Sequence, residues 1–111
     1  GVTASTSGST SPVLLTTVAF GAGGAKTVEV DWVGLDTTGI TNTSGGQVVA
    51  TFTYDGVSTV SQIGSQSTTA RVGGAVLTVA PGSGANINIS GSAANTDTWR
   101  WDLQIIKAVI T

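Results

Sequence analysis

The stretch Lys26-Thr27-Val28-Glu29-Val30-Asp31-Trp32-Val33-Gly34-Leu35 alternates apolar and polar side chains with a period of two. Val28, Val30 and Trp32 share one face, and Thr27, Glu29 and Asp31 share the other, as in a strand with one buried side. Working outward, the alternation returns from Gln47 to Tyr54, where Val48, Ala50, Phe52 and Tyr54 lie on one face. Asp55-Gly56 follows directly. Between two strand-like runs that dipeptide predicts a tight type I′ hairpin, because both central residues need positive φ, with Val57 to Ile63 as the return strand. Upstream, Val13 to Phe20 reads as a strand ended by the loop Gly21-Ala22-Gly23-Gly24. Downstream, Ala75 to Ala80 is a short strand stopped by Pro81-Gly82-Ser83-Gly84, and Ala85 to Ser90 turns Ile87 and Ile89 inward. Asp36 to Gly46, Ser65 to Gly74 and Gly91 to Asp97 read as loops or turns.

The last run, Thr98 to Ile110, is the longest. Trp99, Trp101, Leu103 and Ile105 fall on one face, and Arg100, Asp102 and Gln104 on the other. From Ile105 onward the strand is apolar on both faces, which a strand buried on both sides requires. Ile106, Ala108 and Ile110 are therefore the candidate oligomer interface, joined by Trp101, which reads as core or as an edge residue at a subunit seam. Seven to eight strands at intervals of about 8 to 12 residues, with no sustained helical periodicity, predict an all-β fold. The architecture expected is an antiparallel two-sheet β-sandwich, jelly-roll-like. No internal repeat supports a propeller or solenoid. Residues 1–11, GVTASTSGSTS, read as a flexible Ser/Thr/Gly linker, and 12–111 as the single sandwich domain. The opening Gly1-Val2-Thr3, without Met, is expected of a fragment or processed product joined to an upstream segment of a longer chain.

Composition removes whole classes of chemistry. The 111 residues include no His, Cys or Met, and only 9% are charged, four basic against six acidic. Without His and Cys there is no triad, thiol chemistry, zinc site or redox motif to build, and no cofactor is expected. Lys26, Arg71, Arg100 and Lys107 are never adjacent, so a nucleic-acid groove based on phosphate neutralisation is not expected. No apolar run approaches the roughly 18 residues of a membrane-spanning helix, and no membrane insertion is expected. Ser and Thr make up 31 of the 111 residues, so hydroxyls rather than ions supply the polar surface. An ordinary soluble chain carries about 25% charged residues, and one this poor in charge is expected to cover part of its outside with copies of itself.

Each candidate site has a plainer structural reading. Trp32, Phe52 and Trp99 are in phase with aliphatic neighbours and are expected in the core. Tyr54, beside the Asp55-Gly56 turn, is the aromatic most readily exposed, and Tyr54, Asp55 and Asn42 form the candidate ligand surface. Asp97 and Asp102 are five residues apart on opposite faces and about 16 Å apart along a strand, so they are no glycosidase pair. Asn95-Thr96-Asp97, Asn86 and Asn88 offer oxygen ligands but no calcium-loop spacing, and turn chemistry accounts for them.

Several segments taken in order resemble a known family: Val28-Glu29-Val30-Asp31-Trp32-Val33-Gly34, Ala50-Thr51-Phe52-Thr53-Tyr54-Asp55-Gly56, Ile63-Gly64, Ile87-Asn88-Ile89-Ser90-Gly91 and Thr98-Trp99-Arg100-Trp101. They are similar to the small β-sandwich domains at the C-terminal ends of bacteriophage tail fibre, tailspike and related virion structural proteins. There a V-x-V-x-V strand precedes an F-x-x-(D/N)-G hairpin, an I/V-G segment, an I-x-V-x-G strand and a closing Trp-bearing strand. The likeness covers residues 26 to 107 and departs at Trp101, where a smaller residue is common. It implies a non-enzymatic, homotrimeric tip of a virion appendage, extracellular, with a host-surface polysaccharide as partner. It carries over no binding residue. Two other classes compete with it: a monomeric carbohydrate-binding module appended to an enzyme, which needs an exposed aromatic platform, and a capsid-decoration or surface-layer subunit with no ligand.

Overall fold

Alternating apolar faces oblige the strands to stack in two layers, and a computed structural model shows how they do so. It describes residues 1–39 and 42–111, with the backbone alone at 70 and 71. The eight strands are β1 (Val2–Thr6), β2 (Val13–Ala19), β3 (Gly24–Asp36), β4 (Thr43–Tyr54), β5 (Val60–Val72), β6 (Val76–Pro81), β7 (Asn86–Ser92) and β8 (Trp99–Ile110). They form a five-stranded sheet in the order β1-β8-β3-β4-β5 and a three-stranded sheet in the order β2-β7-β6. Every pairing is antiparallel. This is the expected two-sheet sandwich. Its nested pairs, β1 with β8 and β2 with β7, are the jelly-roll element, while β3-β4-β5 is a meander.

The core is what the period of two requires. Val28, Val30, Trp32, Val48, Ala50, Phe52, Trp99, Trp101 and Leu103 come from the larger sheet, and Val18, Leu77, Val79, Ile87 and Ile89 from the smaller. Trp101 sits among Trp32 and Trp99, with ring centroids 5.6 Å and 6.1 Å away. It is 1% exposed, so it belongs to the interior of one chain and not to a seam between copies. Gly34 and Gly91 make room for it. A methyl group on Gly91 would lie 3.0 Å from the Trp101 ring.

Three further expectations are corrected. Residues 2–6 are not linker: β1 pairs with β8 from Val2 opposite Leu103 to Thr6 opposite Trp99. The reason is the Trp101 indole, whose N–H donates to Thr6 Oγ1 at 3.0 Å in the buried interior. Asp55-Gly56 does not make a two-residue hairpin. Tyr54 pairs with Val60, leaving a five-residue loop, and Asp55 Oδ1 accepts the N–H groups of Val57, Ser58 and Thr59 at 2.8 to 3.0 Å. Ser65 to Gly74 is mostly strand, because β5 is an edge strand overhanging the narrower sheet and needs no apolar alternation. Gly64, at φ 71°, allows the β5 bulge between Ile63, opposite Thr51, and Ser67, opposite Val49. Gln66 Oε1 then accepts the Val79 N–H at 3.1 Å, tying the edge of one sheet to the edge of the other. The expected loop from Asp36 to Gly46 includes residues 40 and 41, which lie outside the described residues; β4 itself begins at Thr43.

Docking of β1 is open to a direct check. Replacing Thr6 by Ala strands a buried indole N–H and is expected to cost about 1–3 kcal/mol. Thr6→Ser, which keeps the acceptor, is expected to cost much less. Urea denaturation of the two variants measures the difference, and equal stabilities would mean that the hydroxyl does not hold β1 in place.

Candidate functional site

The outward face of the five-stranded sheet is built by register. Directly opposed residues point the same way, so side chains form rows across β8, β3, β4 and β5. One row runs Ile106, Glu29, Val49, Ser67 and the next Gln104, Asp31, Gln47, Thr69. Toward the far end come Ala108, Thr27, Thr51, Ile63 and then Ile110, Ala25, Thr53, Ser61. The middle is polar and internally bonded: Gln47 Nε2 donates to Asp31 Oδ1 at 2.9 Å, and the Thr27 and Thr51 hydroxyls are 2.9 Å apart. The β8 side is apolar. Ile106 is 50% exposed and Ile110 75%, and Ala108 between them is also exposed.

Three of the four residues assigned to an interface from sequence thus lie together on one open face, and only Trp101 does not. The three assigned to a ligand surface are not brought together. Tyr54 and Asp55 stand at one end of β4 and Asn42 just beyond the other, and twelve residues of strand hold them about 36 Å apart. Tyr54 is half-buried, with its ring 5.5 Å from that of Phe20. Asn42 uses its carbonyl to accept the Asp36 N–H at 2.9 Å. Asp55 caps its own loop, and the N–H donors of Thr59, Val57 and Ser58 hold its carboxyl below the usual aspartate range. Asn42 and Asp55 thus serve the local backbone, and Tyr54 packs on Phe20.

The titratable cluster that sequence reasoning missed joins the end of β3 to the β7–β8 loop. Asp36 is 2% exposed. Its Oδ1 accepts the Thr38 N–H at 2.9 Å and its Oδ2 the Asn95 amide at 3.1 Å. Asn95 Oδ1 in turn accepts the Trp99 indole N–H at 2.8 Å and the Asp97 N–H at 3.0 Å. Burial alone would raise the Asp36 carboxyl, but hydrogen bonds from Asn95, Asp97 and Thr38 outweigh it and hold it low. The Asp97 carboxyl is pushed up, first by its hydrogen bond with Asp36, then by burial and by the Asp36 charge. Two carboxyls in direct contact are too close for a glycosidase pair, which needs about 5–9.5 Å with room for sugar or water. Asp36 ends β3 and Asp97 lies in the loop that leads into β8, and the register that sets Asp36 opposite Trp99 brings the two together. The signal was non-local.

Elsewhere the surface offers little chemistry. Among the described residues no three His, Cys, Asp or Glu side chains are grouped to hold a metal ion. A gap of about 230 Å³ between the sheets is lined by Trp32, Val48, Thr68, Val76 and Leu77. The Trp32 indole N–H finds no acceptor among the described residues, but it is too enclosed to meet a ligand in that gap. Lys26 is buried, its Nζ donating to the Ala19 carbonyl at 2.8 Å and lying 4.9 Å over the Phe20 ring. Burial, then the charge of Lys107, lowers its pKa. No family model, curated protein or solved structure matches this chain.

The Asp36–Asp97 pair sets a pH dependence with a definite sign. The contribution of Asp36, whose pKa is lowered, is present above the ordinary aspartate range and is lost as pH falls through its folded value. The contribution of Asp97, whose pKa is raised, is present below that range and is lost as pH rises through its folded value. Stability linked to the pair therefore peaks while it shares one proton and declines as pH rises from the ordinary aspartate range through the folded value of Asp97. Asp97→Asn, which supplies a permanent donor to Asp36, is expected to raise Tm at pH 7 and to remove that decline. Thermal melts from pH 4 to 7 test it, and a variant with the wild-type slope would exclude the shared proton as its cause.

Proposed function

We propose that this chain is a non-enzymatic structural domain that works as an assembly of copies of itself, in a virion appendage such as a phage tail fibre or tailspike. The observation that carries the self-assembly is the exposed row Ile106, Ala108 and Ile110 on a strand that remains regular to its end. A charge-poor surface supports the same reading, since little electrostatic repulsion opposes contact between copies. The virion setting, the extracellular location, the count of three and the contact with a host-surface polysaccharide rest on the resemblance in sequence. A carbohydrate-binding module draws less support. Trp32, Trp99 and Trp101 are all 5% exposed or less, which leaves no indole platform for a sugar face.

Light scattering across micromolar to millimolar concentrations tests the reading. The wild-type chain is expected to form a fixed multiple of the monomer, three by the resemblance. Ile106→Asp, which places a charge in an apolar contact, is expected to shift the mass to that of a monomer with the fold retained. A wild-type monomer at every concentration would overturn the proposal.

A further inference from the structure

β8 carries its outward side chains in a graded order. Arg100, Asp102, Gln104, Ile106, Ala108 and Ile110 alternate with the core residues Trp99, Trp101 and Leu103, and all six are exposed. The stripe runs from two opposite charges, through an amide, to the three apolar residues of the assembly contact. Those three leave the charged end without a partner. Among the described residues neither Arg100 nor Asp102 is ion-paired. Beside them is a groove of about 240 Å³, lined in part by Thr3, Val33, Leu35, Arg100 and Asp102. Val33, opposite Asp102, is 44% exposed, so the groove sets an apolar wall next to a carboxylate. Such a setting suits an arginine from outside, whose stem packs on the apolar wall while its planar head meets the carboxylate.

We propose that Arg100 of each copy bonds to Asp102 of the next, and that the copies stand parallel with the outward stripe of β8 turned to a common axis. The inference rests on the self-assembly reading and adds orientation and register to it. Rotation about an axis along β8 sets each residue of the stripe level with the same residue of the other copies. Ile106, Ala108 and Ile110 then meet their own kind. Like charges on one level repel, but Asp102 lies only one step, about 7 Å, from Arg100 along the strand. An arginine side chain spans that distance, so the charges close into a ring of alternating sign. The other carboxylates of this face do not compete. Asp31 is level with Gln104 and Glu29 with Ile106, which puts them about 13 Å and about 20 Å from Arg100 along the strand. Asp31 Oδ1 is already taken by Gln47. Antiparallel copies match either the charges, when centred between Arg100 and Asp102, or the apolar residues, when centred on Ala108, and never both. Exposed ion pairs add little strength, so the ring selects the register while the apolar end supplies the hold.

Charge reversal tests the pairing. Arg100→Asp and Asp102→Arg, each alone, give both levels the same sign, and each is expected to raise the concentration at half-assembly about tenfold in light scattering, with Tm unchanged. The double variant Arg100→Asp/Asp102→Arg restores opposite signs and is expected to assemble like the wild type. The chain has no cysteine, so introduced thiols report the orientation. Sheet faces pack about 10 Å apart, a gap that a short bis-maleimide bridges. In parallel copies Gln104→Cys and Ala108→Cys each link to their own counterpart, whereas in antiparallel copies only one residue of the stripe can meet itself. If the reversal variants fail to fold, the two thiol variants decide. A double reversal as weak as the single ones, or linking of only one of the two thiols, in a chain that still assembles, overturns the pairing and leaves self-assembly standing. A wild-type monomer at every concentration overturns both.

Discussion

The Trp101 indole is the contact on which the rest of the sandwich depends. Its ring fills the space left by Gly34 on β3 and Gly91 on β7, so it joins the two sheets at their centre. Its N–H needs an acceptor, and a buried donor without one is costly. Thr6 supplies that acceptor, and β1 is thereby held on β8. Around the same ring, Trp32 and Trp99 pack at tilted angles of 33°. One side chain thus sets the spacing of the layers and the first strand of the larger sheet.

Layer membership was legible in the sequence wherever burial alone determines it. Val28, Val30 and Trp32, or Ile87 and Ile89, cannot face water together, and a period of two leaves them one arrangement. β1 was hidden because Val2, Ala4 and Thr6 are small or polar, and only their partner makes them an inward face. The five-residue loop after Tyr54 was hidden because a carboxylate that collects three N–H groups outweighs the preference of a dipeptide. β5 was hidden by its position at an edge, where alternation is not enforced. For the candidate site, Ile106, Ala108 and Ile110 were legible as apolar residues lacking a core of their own. The contact of Asp36 with Asp97 was not, since it exists only once β3 and β8 are in register.

The scarcity of charge gives the surface a distinctive way of staying polar. Hydroxyls and amides bond to one another across strands, as Thr27 does with Thr51 and Gln47 with Asp31. Such pairs satisfy their own donors and acceptors and leave a surface with little long-range field. Specificity in any contact such a surface makes has to come from shape and register.

The pairing of β1 with β8 also orders the chain in time. The bond from Trp101 to Thr6 spans 95 residues. The β3-β4-β5 meander and the β6-β7 hairpin are local and can form while the chain is still emerging. The larger sheet cannot close until β8, last of the eight strands, arrives between β1 and β3. Contacts so distant along the chain make for slow folding, and until β8 inserts, the long edge of β3 is itself bare. The strand that joins β1 to β3 is therefore also the one that covers the long edge left bare in the nascent sheet.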